Sequence, residues 1–213
     1  MGYLEEPLKG YCDALASGQP TPGGGSAAAL VGALGAALNS MVANFTVGRE
    51  KFAAVEAEVR ALLEENERLR AELERLTQAD TEAYAFVSRA YRMPRSSEEE
   101  KVSRRAAIQE SLKTAAQVPE AAVRACHGVL KIAARLVDKG NPNLVTDVGV
   151  AARFAQAALA CAAMNVEINL IQMTDEAYVD SCYARMSPLL EEGERLGEQV
   201  WRRVNERMRQ GEG

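Results

Sequence analysis

The stretch QPTPGGGSAAALVGALGAALNSMVANFTVGR, residues 19–49, decides the fold that this chain can adopt. It begins with two prolines and three consecutive glycines, and no charged residue occurs between Ala14 and Gly48. The prolines and glycines mark a turn, and the Ala-rich run behind them predicts a helix over residues 26–47. Because its side chains are small, we expect neighbouring helices to bury it on nearly all sides, in the core or at a subunit interface.

The same helix has the length of a membrane span, but its composition does not suit one. A span needs about 20 predominantly apolar residues, whereas Ala and Gly dominate here and Asn39, Ser40 and Asn44 interrupt the run. No aromatic belt or flanking basic cluster accompanies it. The acidic N-terminal sequence also lacks the basic region of a signal peptide. We therefore expect a cytoplasmic protein that does not associate with a membrane.

The rest of the sequence predicts helices only. Of the 213 residues, 47% are hydrophobic and only 5% are aromatic, a composition typical of helix bundles. No segment alternates with the period of two expected for a strand. Further helices are predicted over residues 3–16, 51–92, 96–117, 118–140, 147–171 and 174–209. The predicted fold is all-α, a multihelical bundle of long antiparallel helices that forms a single domain over residues 1–213.

Composition also excludes several classes of function. The net charge of −5 argues against nucleic acid or an anionic membrane as the main partner. The four cysteines (Cys12, Cys126, Cys161 and Cys182) form no CxxC pair, which predicts reduced, buried thiols rather than a zinc site or a disulfide framework. His127 is the only histidine, and its amphipathic surroundings favour a structural role over a catalytic one. Acid–base chemistry in this chain is therefore expected from a carboxylate.

A heptad pattern in the third predicted helix singles out one carboxylate. Two interleaved series recur every seven residues: Val55, Leu62, Leu69 and Leu76, and Val59, Asn66 and Leu73. Three heptads inside a helical chain predict a seam that packs within the protein. The same register places Asp80 at the next position of the seam, before Ala83 and Val87. Burial raises the pKa of an aspartate and makes it a competent proton donor and acceptor, so Asp80 is a candidate catalytic residue.

The glycine-rich turn is a candidate binding loop. Gly23, Gly24 and Gly25 can bring backbone N–H groups close to a ligand. Because glycine lacks a Cβ atom, these residues can also adopt positive φ angles. Ser26 is predicted to be the N-cap of the next helix, and its backbone N–H is a further candidate contact for the ligand. No Gly-Lys-Ser/Thr follows, so this is not a Walker A loop. The pattern is equally compatible with a turn that only starts a helix.

A series of segments resembles the cyclodeaminase/cyclohydrolase family of folate enzymes. The segments are PTPGGGSAAALVGALGAALNSMV at 20–42, GREKF at 48–52, ADTEAY at 79–84, RMP at 92–94, QVP at 117–119, GNPNLVTD at 140–147 and FAQAALACAAMNVEINL at 154–170. Each segment is weak by itself, but their order and spacing are specific. The resemblance extends from about Tyr3 to Val204 and covers nearly the whole chain.

The resemblance implies an all-helical homodimer with a folate site near the subunit interface. It also implies that Asp80, the aspartate of the ADTEAY segment, is catalytic. The family includes cyclodeaminases, which release ammonia from 5-formiminotetrahydrofolate, and cyclohydrolases, which open 5,10-methenyltetrahydrofolate. Both reactions pass through a tetrahedral carbon between N5 and N10. Neither reaction requires a metal or a redox cofactor, so we expect none.

Other residues are candidates for contacts with a folate substrate. Arg49 and Lys51, and also Arg104 and Arg105, are candidates for binding the glutamate tail, which is polyglutamylated in some folates. Asn141, Asn143 and Asp147 form a predicted turn, in which Asp147 caps the following helix and is a candidate substrate contact. Asn165 and Asn169 lie four residues apart, so one helix face presents both side chains to a ligand or a neighbouring helix.

Two questions stay open at the level of sequence. No formiminotransferase domain precedes the matched segments, which favours a stand-alone cyclohydrolase, whereas a cyclodeaminase would depend on a separate formiminotransferase. The alternative from another class is a non-catalytic scaffold that uses the seam of residues 55–76 as a coiled coil.

Overall fold

The computed structural model describes residues 2–5 and 7–210, and within them the chain is helical throughout, without a strand. The six α-helices are α1 (Leu8–Ala16), α2 (Gly24–Asn44), α3 (Glu56–Tyr91), α4 (Glu98–Lys139), α5 (Val145–Leu170) and α6 (Glu176–Arg209). Short 3₁₀ turns cover Tyr3–Glu5, Glu50–Phe52 and Pro142–Leu144. The predicted all-α class is confirmed.

One predicted helix boundary is wrong. The two helices expected on either side of Val118 form the single helix α4, and Pro119 lies inside it. A proline inside a helix removes one backbone hydrogen bond, but α4 keeps its course because Pro119 is buried among the surrounding helices. The predicted start of α4 is confirmed, since Ser97 and Glu100 form a reciprocal capping box.

Helix α2 lies at the centre of the bundle and contacts α3, α4 and α5. It runs antiparallel to α3, because Ser26 contacts Thr77 at one end and Asn39 contacts Asn66 near the other. Glycines allow this close packing. A Cβ atom on Gly32 would lie 2.8 Å from Cys126 Sγ, and one on Gly35 would lie 2.9 Å from the Ala151 carbonyl oxygen. The small residues of α2 therefore serve packing inside the protomer.

The heptad seam of α3 faces the core, as predicted. Val59, Leu62, Leu73 and Leu76 are buried. Asn66 is also buried and donates to the Ala36 carbonyl oxygen and to Ser40 Oγ, which satisfies its side chain within the bundle. Helices α2 and α4 cover most of the seam, and Val55 and Leu69 are partly buried against the same core. This packing argues against the scaffold alternative, in which the seam would bind a coiled-coil partner.

Several apolar side chains of α2 and α5 remain exposed on the outside of the bundle. They are Leu34, Val150, Phe154, Met164 and Ile168, with between 37% and 71% of each residue accessible. By length and composition alone, Gly24–Asn44 and Pro142–Leu170 are apolar enough to cross a membrane. In these two segments, however, 61% and 44% of the apolar window is buried inside the protein.

The cysteines fit the sequence prediction only in part. All four are free, and Cys126 and Cys182 are buried as predicted. Cys12 and Cys161 are instead exposed. Cys161 is exposed because it lies on the outer side of α5, one turn before Met164.

Candidate active site

An elongated groove lies between α3, α4 and α5, with the start of α2 at one end. Its volume is about 560 Å³. Asp80 and the glycine-rich turn form one end, and Tyr91 and Arg92 form the other. The walls between them are mainly apolar: Ala83, Val87, Leu112, Ala115, Pro119 and Ile168. The groove therefore combines one carboxylate with an apolar wall, which is the arrangement expected for acid–base chemistry on a flat organic ligand.

The carboxylate of Asp80 is held against the first turn of α2. The backbone N–H of Ser26 donates to Asp80 Oδ2 at 3.0 Å. A Cβ atom on Gly25 would lie 2.7 Å from Asp80 Cγ, so only glycine leaves room for the carboxylate at this point. The start of α2 and the middle of α3 thus fix the position of one reactive group.

Ser26 supports this arrangement from behind the groove. Its hydroxyl donates to the Thr77 carbonyl oxygen at 2.8 Å and lies 3.1 Å from the Tyr11 hydroxyl of α1. Ser26 is fully buried, so its side chain is not available to a ligand. The prediction that Ser26 is the N-cap is wrong, because that position belongs to Gly23. Ser26 instead positions Asp80 through its backbone.

The glycines of the turn differ from one another. Gly23, Gly24 and Gly25 all line the groove. None of them has a positive φ angle, so the expectation based on left-handed backbone is wrong. A Cβ atom on Gly24 would make only ordinary contacts, at 3.6 Å from the Asn165 amide. Close approach to Asp80 is therefore the requirement at Gly25, whereas Gly24 presents backbone to the open groove.

Burial raises the pKa of the Asp80 carboxyl above its ordinary value, and the hydrogen bond from the Ser26 N–H opposes that rise. Desolvation is the larger of the two effects, since it penalises the charged form. A carboxyl with a raised pKa exchanges protons more readily near neutral pH than an exposed one. This property is the one required of a group that must both take and give a proton.

Further polar groups line the wall opposite Asp80. Asn165 and Asn169 lie on one face of α5, as predicted, and both line the groove. The amide nitrogen of each donates to the backbone carbonyl four residues earlier. On α4, Pro119 has no N–H to donate to Ala115, which leaves the Ala115 carbonyl oxygen without its helical partner beside the groove. The side-chain oxygens of Asn165 and Asn169 and the Ala115 carbonyl oxygen are thus candidate acceptors for N–H groups of a ligand.

Two aromatic side chains of α3 were missed by the sequence analysis. Tyr84 and Tyr91 line the groove, with 46% and 42% of each residue accessible. The signal was present, because residues 80, 84, 87 and 91 share one face of a helix by the same spacing that revealed Asp80. Exposed tyrosines beside an apolar groove provide faces for stacking on a planar ring.

Four predicted contact residues lie away from this groove. Arg49 and Lys51 follow the far end of α2, a helix about 30 Å long at 1.5 Å per residue. Asn141 packs against the same far end, where its backbone N–H donates to Thr46 Oγ1 at 2.9 Å. Asp147 lies in the first turn of α5, whereas Asn165 lies near its end. Within one protomer, these residues and Asp80 are not brought together.

The predicted capping role of Asp147 is wrong, because Leu144 is the N-cap of α5 and no side chain caps that end. Lys51 instead lines a separate surface cavity with Lys139, Asn143 and Arg207.

His127 is largely buried, and its Nε2 lies 2.9 Å from Glu192 Oε2 of α6. No cluster of three metal-ligating side chains is found in residues 2–5 and 7–210.

The chain matches a known family over most of its length. The model of the formiminotransferase-cyclodeaminase family matches residues 7–188. A methenyltetrahydrofolate cyclohydrolase of Methylorubrum extorquens is 42% identical over 203 residues, covering 95% of this chain and 98% of that protein. A formimidoyltransferase-cyclodeaminase of Mus musculus is 35% identical over 189 residues, covering 89% of this chain. The matched region is only 35% of the mouse protein's length.

A solved structure has the same fold. The crystal structure of a formiminotetrahydrofolate cyclodeaminase from Thermotoga maritima superimposes with a TM-score of 0.79. Its sequence is 35% identical, and the superposition covers 96% of both chains.

Proposed function

The chain belongs to the formiminotransferase-cyclodeaminase family and is a folate one-carbon enzyme, and from that premise we propose that it is a methenyltetrahydrofolate cyclohydrolase with Asp80 as its acid and base. The observation that carries the proposal is the single half-buried carboxylate at one end of an apolar groove. In this reaction 5,10-methenyltetrahydrofolate takes up water and opens to 10-formyltetrahydrofolate. The N5–carbon bond breaks and the carbon stays on N10 as a formyl group.

The first step is the attack of water on the methenyl carbon. Asp80 in its ionised form accepts a proton from the water as the new carbon–oxygen bond forms. The product is a tetrahedral carbon that carries a hydroxyl group between N5 and N10. The Ser26 N–H, which donates to the carboxylate, keeps one oxygen in place while the other faces the groove.

The second step opens the ring. Asp80, now protonated, gives its proton to N5 as the bond between N5 and the carbon breaks. The hydroxyl group loses a proton to solvent and becomes the formyl carbonyl, so one proton is released overall. The raised pKa of Asp80 suits both roles, because the group must be ionised in the first step and protonated in the second.

The groove offers matching contacts for the rest of the substrate. The pterin ring carries N–H donors, and the carbonyl oxygens of Asn165, Asn169 and Ala115 are acceptors at the Asp80 end. The Tyr84 ring offers a face for stacking on the p-aminobenzoyl group. These contacts orient the carbon between N5 and N10 beside the carboxylate.

We favour cyclohydrolase activity over ammonia release because of the similarity to the Methylorubrum cyclohydrolase, of which the match covers 98%. The Methylorubrum cyclohydrolase is more similar than either the mouse protein or the Thermotoga cyclodeaminase, at 42% identity against 35% for each. The same carboxylate serves both reactions, because each forms a tetrahedral carbon between N5 and N10.

The test is to give the purified protein each substrate in turn. With 5,10-methenyltetrahydrofolate, the methenyl absorbance should fall without release of ammonia. With 5-formiminotetrahydrofolate, neither methenyl absorbance nor ammonia should appear. Since acid–base chemistry alone suffices, a chelator should leave the rate unchanged. Stoichiometric ammonia from the formimino substrate would instead identify a cyclodeaminase.

We also propose that the protein is a homodimer joined through the outer side of α2 and α5. This surface carries Leu34, Phe154, Met164 and Ile168, and large exposed apolar patches mark interaction sites. Ile168 belongs to this surface and also to the groove, so the interface would adjoin the active site. A second copy of the chain offers a matching apolar surface through an isologous contact.

Sedimentation measures this assembly directly. The wild-type protein should sediment as a dimer at micromolar concentration, and Met164→Glu should dissociate it because a charge would be buried in an apolar contact. Leu8→Glu is the matched control, since Leu8 is equally exposed on α1, at 70% against 71%. A monomeric wild-type protein with full activity would contradict the proposal.

A further inference from the structure

The outer halves of α3 and α4, residues 83–115, form an arm that has its own small core. The buried residues of that core are Ala90, Ile108 and Leu112. Arg104 of α4 also donates to the Tyr91 carbonyl oxygen of α3 at 3.0 Å, and its guanidinium lies 5.6 Å from the centre of the Tyr91 ring. Apolar packing and this polar contact hold the two helices of the arm together, so the arm can move as one unit.

The arm and the rest of the protein have separate cores that meet at a methionine. On α3 the buried residues of the main core extend to Leu76, and on α4 they begin at Ala116. Met173, in the connection between α5 and α6 (residues 171–175), packs against both cores. Because the two cores are linked through Met173, the arm can turn without disrupting the packing of the main core.

Both helices are weakened where they enter the arm. On α4, Pro119 has no N–H, so the helical hydrogen bond to the Ala115 carbonyl oxygen is missing. On α3, the Thr77 hydroxyl donates to the Leu73 carbonyl oxygen at 3.0 Å, a bond that favours bending of a helix. These two points, at Pro119 and Thr77, form the hinge of the arm.

Polar contacts tie the arm to the connection between α5 and α6. The Gln109 amide accepts from the Thr174 backbone N–H at 2.8 Å and donates to the Gln172 carbonyl oxygen at 3.0 Å. Lys113 Nζ lies 2.6 Å from Asp175 Oδ2. We call these contacts the latch. The contacts of Gln109 are exposed, so water can replace them at a small cost in free energy.

One further hydrogen bond spans the groove itself. The Tyr91 hydroxyl donates to Gln172 Oε1 at 2.6 Å, and both residues line the groove, one from the arm and the other from the connection. Eleven residues of helical rise, or about 17 Å, separate Asp80 from Tyr91. A bend of about 10° at the hinge therefore moves Tyr91 by about 3 Å. This displacement is enough to break the hydrogen bond and widen the groove.

We propose that the arm is a hinged wall of the groove, which opens for substrate entry and product release and closes over the bound folate through the latch. The inference rests on the proposed function, since it requires the folate to lie in the groove beside Asp80. A ligand that contacts both the arm and α5 favours the closed state. Lids of this kind move in microseconds to milliseconds. Gln109 is the central residue of the latch, because its amide binds two residues of the connection.

Methionine methyl groups report this motion in the wild-type protein. Met173 lies between the two cores, whereas Met186 of α6 is buried in the main core. With isotope-labelled methionine methyl groups, NMR relaxation dispersion should show exchange at Met173 and not at Met186. Saturating 5-formyltetrahydrofolate should suppress the exchange at Met173, because the bound ligand holds the arm closed.

Substitutions in the latch and in the hinge should change the motion in opposite directions. Gln109→Ala removes both contacts of the amide and should raise the open population about tenfold. The dissociation rate of 5-formyltetrahydrofolate, measured by stopped flow, should rise by about the same factor, since release follows opening. Pro119→Ala restores a donor for the Ala115 carbonyl oxygen and should reduce the exchange at Met173. Ser103→Ala is the matched control at an exposed position of the arm and should change neither quantity.

Three results would overturn the inference while leaving the proposed function intact. They are absence of exchange at Met173 in the ligand-free protein, exchange at Met173 that bound 5-formyltetrahydrofolate leaves unchanged, and an unchanged dissociation rate in folded Gln109→Ala protein. An unshifted Met186 methyl signal shows that the variant is folded. Absence of both binding and turnover of folates would instead refute the proposed function, and the inference with it.

Discussion

The two ends of α2 present opposite kinds of environment. At the N-terminal end, the backbone approaches Asp80 so closely that the carboxylate loses water and its pKa rises. At the C-terminal end, Arg49 and Lys51 are exposed on a short turn, and Asn141 ties that turn to the end of α4. The comparison shows that close backbone packing is what raises the pKa of the carboxylate. Charged residues that are exposed near a helix end do not form a binding site by themselves.

The largest expected effect comes from removing the acid at the N-terminal end. Asp80→Asn should lower kcat by about 100- to 10,000-fold, the usual contribution of a general acid or base. The fold should survive, because the Asn side-chain oxygen still accepts the hydrogen bond from the Ser26 N–H. Turnover of methenyl substrate measures the first effect and circular dichroism the second. Full activity in a folded Asp80→Asn protein would remove Asp80 from the mechanism.

A smaller loss is expected from Gly25→Ala. The added methyl group would lie 2.7 Å from Asp80 Cγ, so the carboxylate must move. Displacement of a catalytic group by about 1 Å can lower a rate by about 100-fold, and overpacking typically costs about 1–3 kcal/mol of stability. Steady-state kinetics and thermal unfolding measure the two consequences. Unchanged kcat in this variant would mean that the position of the carboxylate is not critical.

Gly24→Ala is the matched comparison one residue earlier. Its methyl group makes only ordinary contacts at 3.6 Å, so the melting temperature should not fall. Because Gly24 lines the groove, the same methyl group should obstruct a ligand. An overpacking cost of about 1–3 kcal/mol corresponds to a loss of affinity of about 5- to 160-fold. Calorimetric titration with 5-formyltetrahydrofolate provides the measurement. Equal affinity in wild type and Gly24→Ala would place the folate away from the turn.

The smallest effect concerns stability and pH. The folded-state pKa of Asp80 lies above the unfolded value of about 3.9, so in that interval the folded protein binds more protons than the unfolded chain. Stability therefore decreases as pH rises through the interval, and asparagine avoids this loss. The melting temperature of Asp80→Asn relative to wild type should increase as the pH rises from about pH 4. A relative decrease over that range would mean that the carboxylate is stabilised by its surroundings.

The elements of the fold could be predicted because their signals are local. The heptad spacing of Leu62, Asn66, Leu73 and Leu76 placed α3 against the core and also placed Asp80 on the same face. Pro119 was wrongly predicted to separate two helices, because a proline inside a helix removes a backbone hydrogen bond. Its burial against other helices compensates for that loss, and this contribution is not visible in the local sequence. Local rules therefore gave the class of fold but not the length of α4.

Sequence periodicity reports residues of the candidate site where they share one helix. Asp80 lies on α3 with the two missed tyrosines, and Asn165 and Asn169 share a face of α5. Arg49 was named as a candidate for the glutamate tail, but it lies beyond the opposite end of α2 from the glycine-rich turn. The helix between them is rigid, and its 21 residues separate its two ends. The contact between Gly25 and Asp80 joins residues far apart in sequence, and no periodicity within either helix reports it.

The central position of α2 has a consequence for how the site fluctuates. The ends of helices normally open locally with a small free energy, so their amide hydrogens exchange fast. Residues packed in the core exchange their amide hydrogens only when the protein unfolds globally. The first turn of α2 is a helix end, yet Ser26 is fully buried and is held by Thr77 and Tyr11. Its amide should therefore exchange as slowly as those of the core, so that the reactive group keeps its position until the entire bundle comes apart.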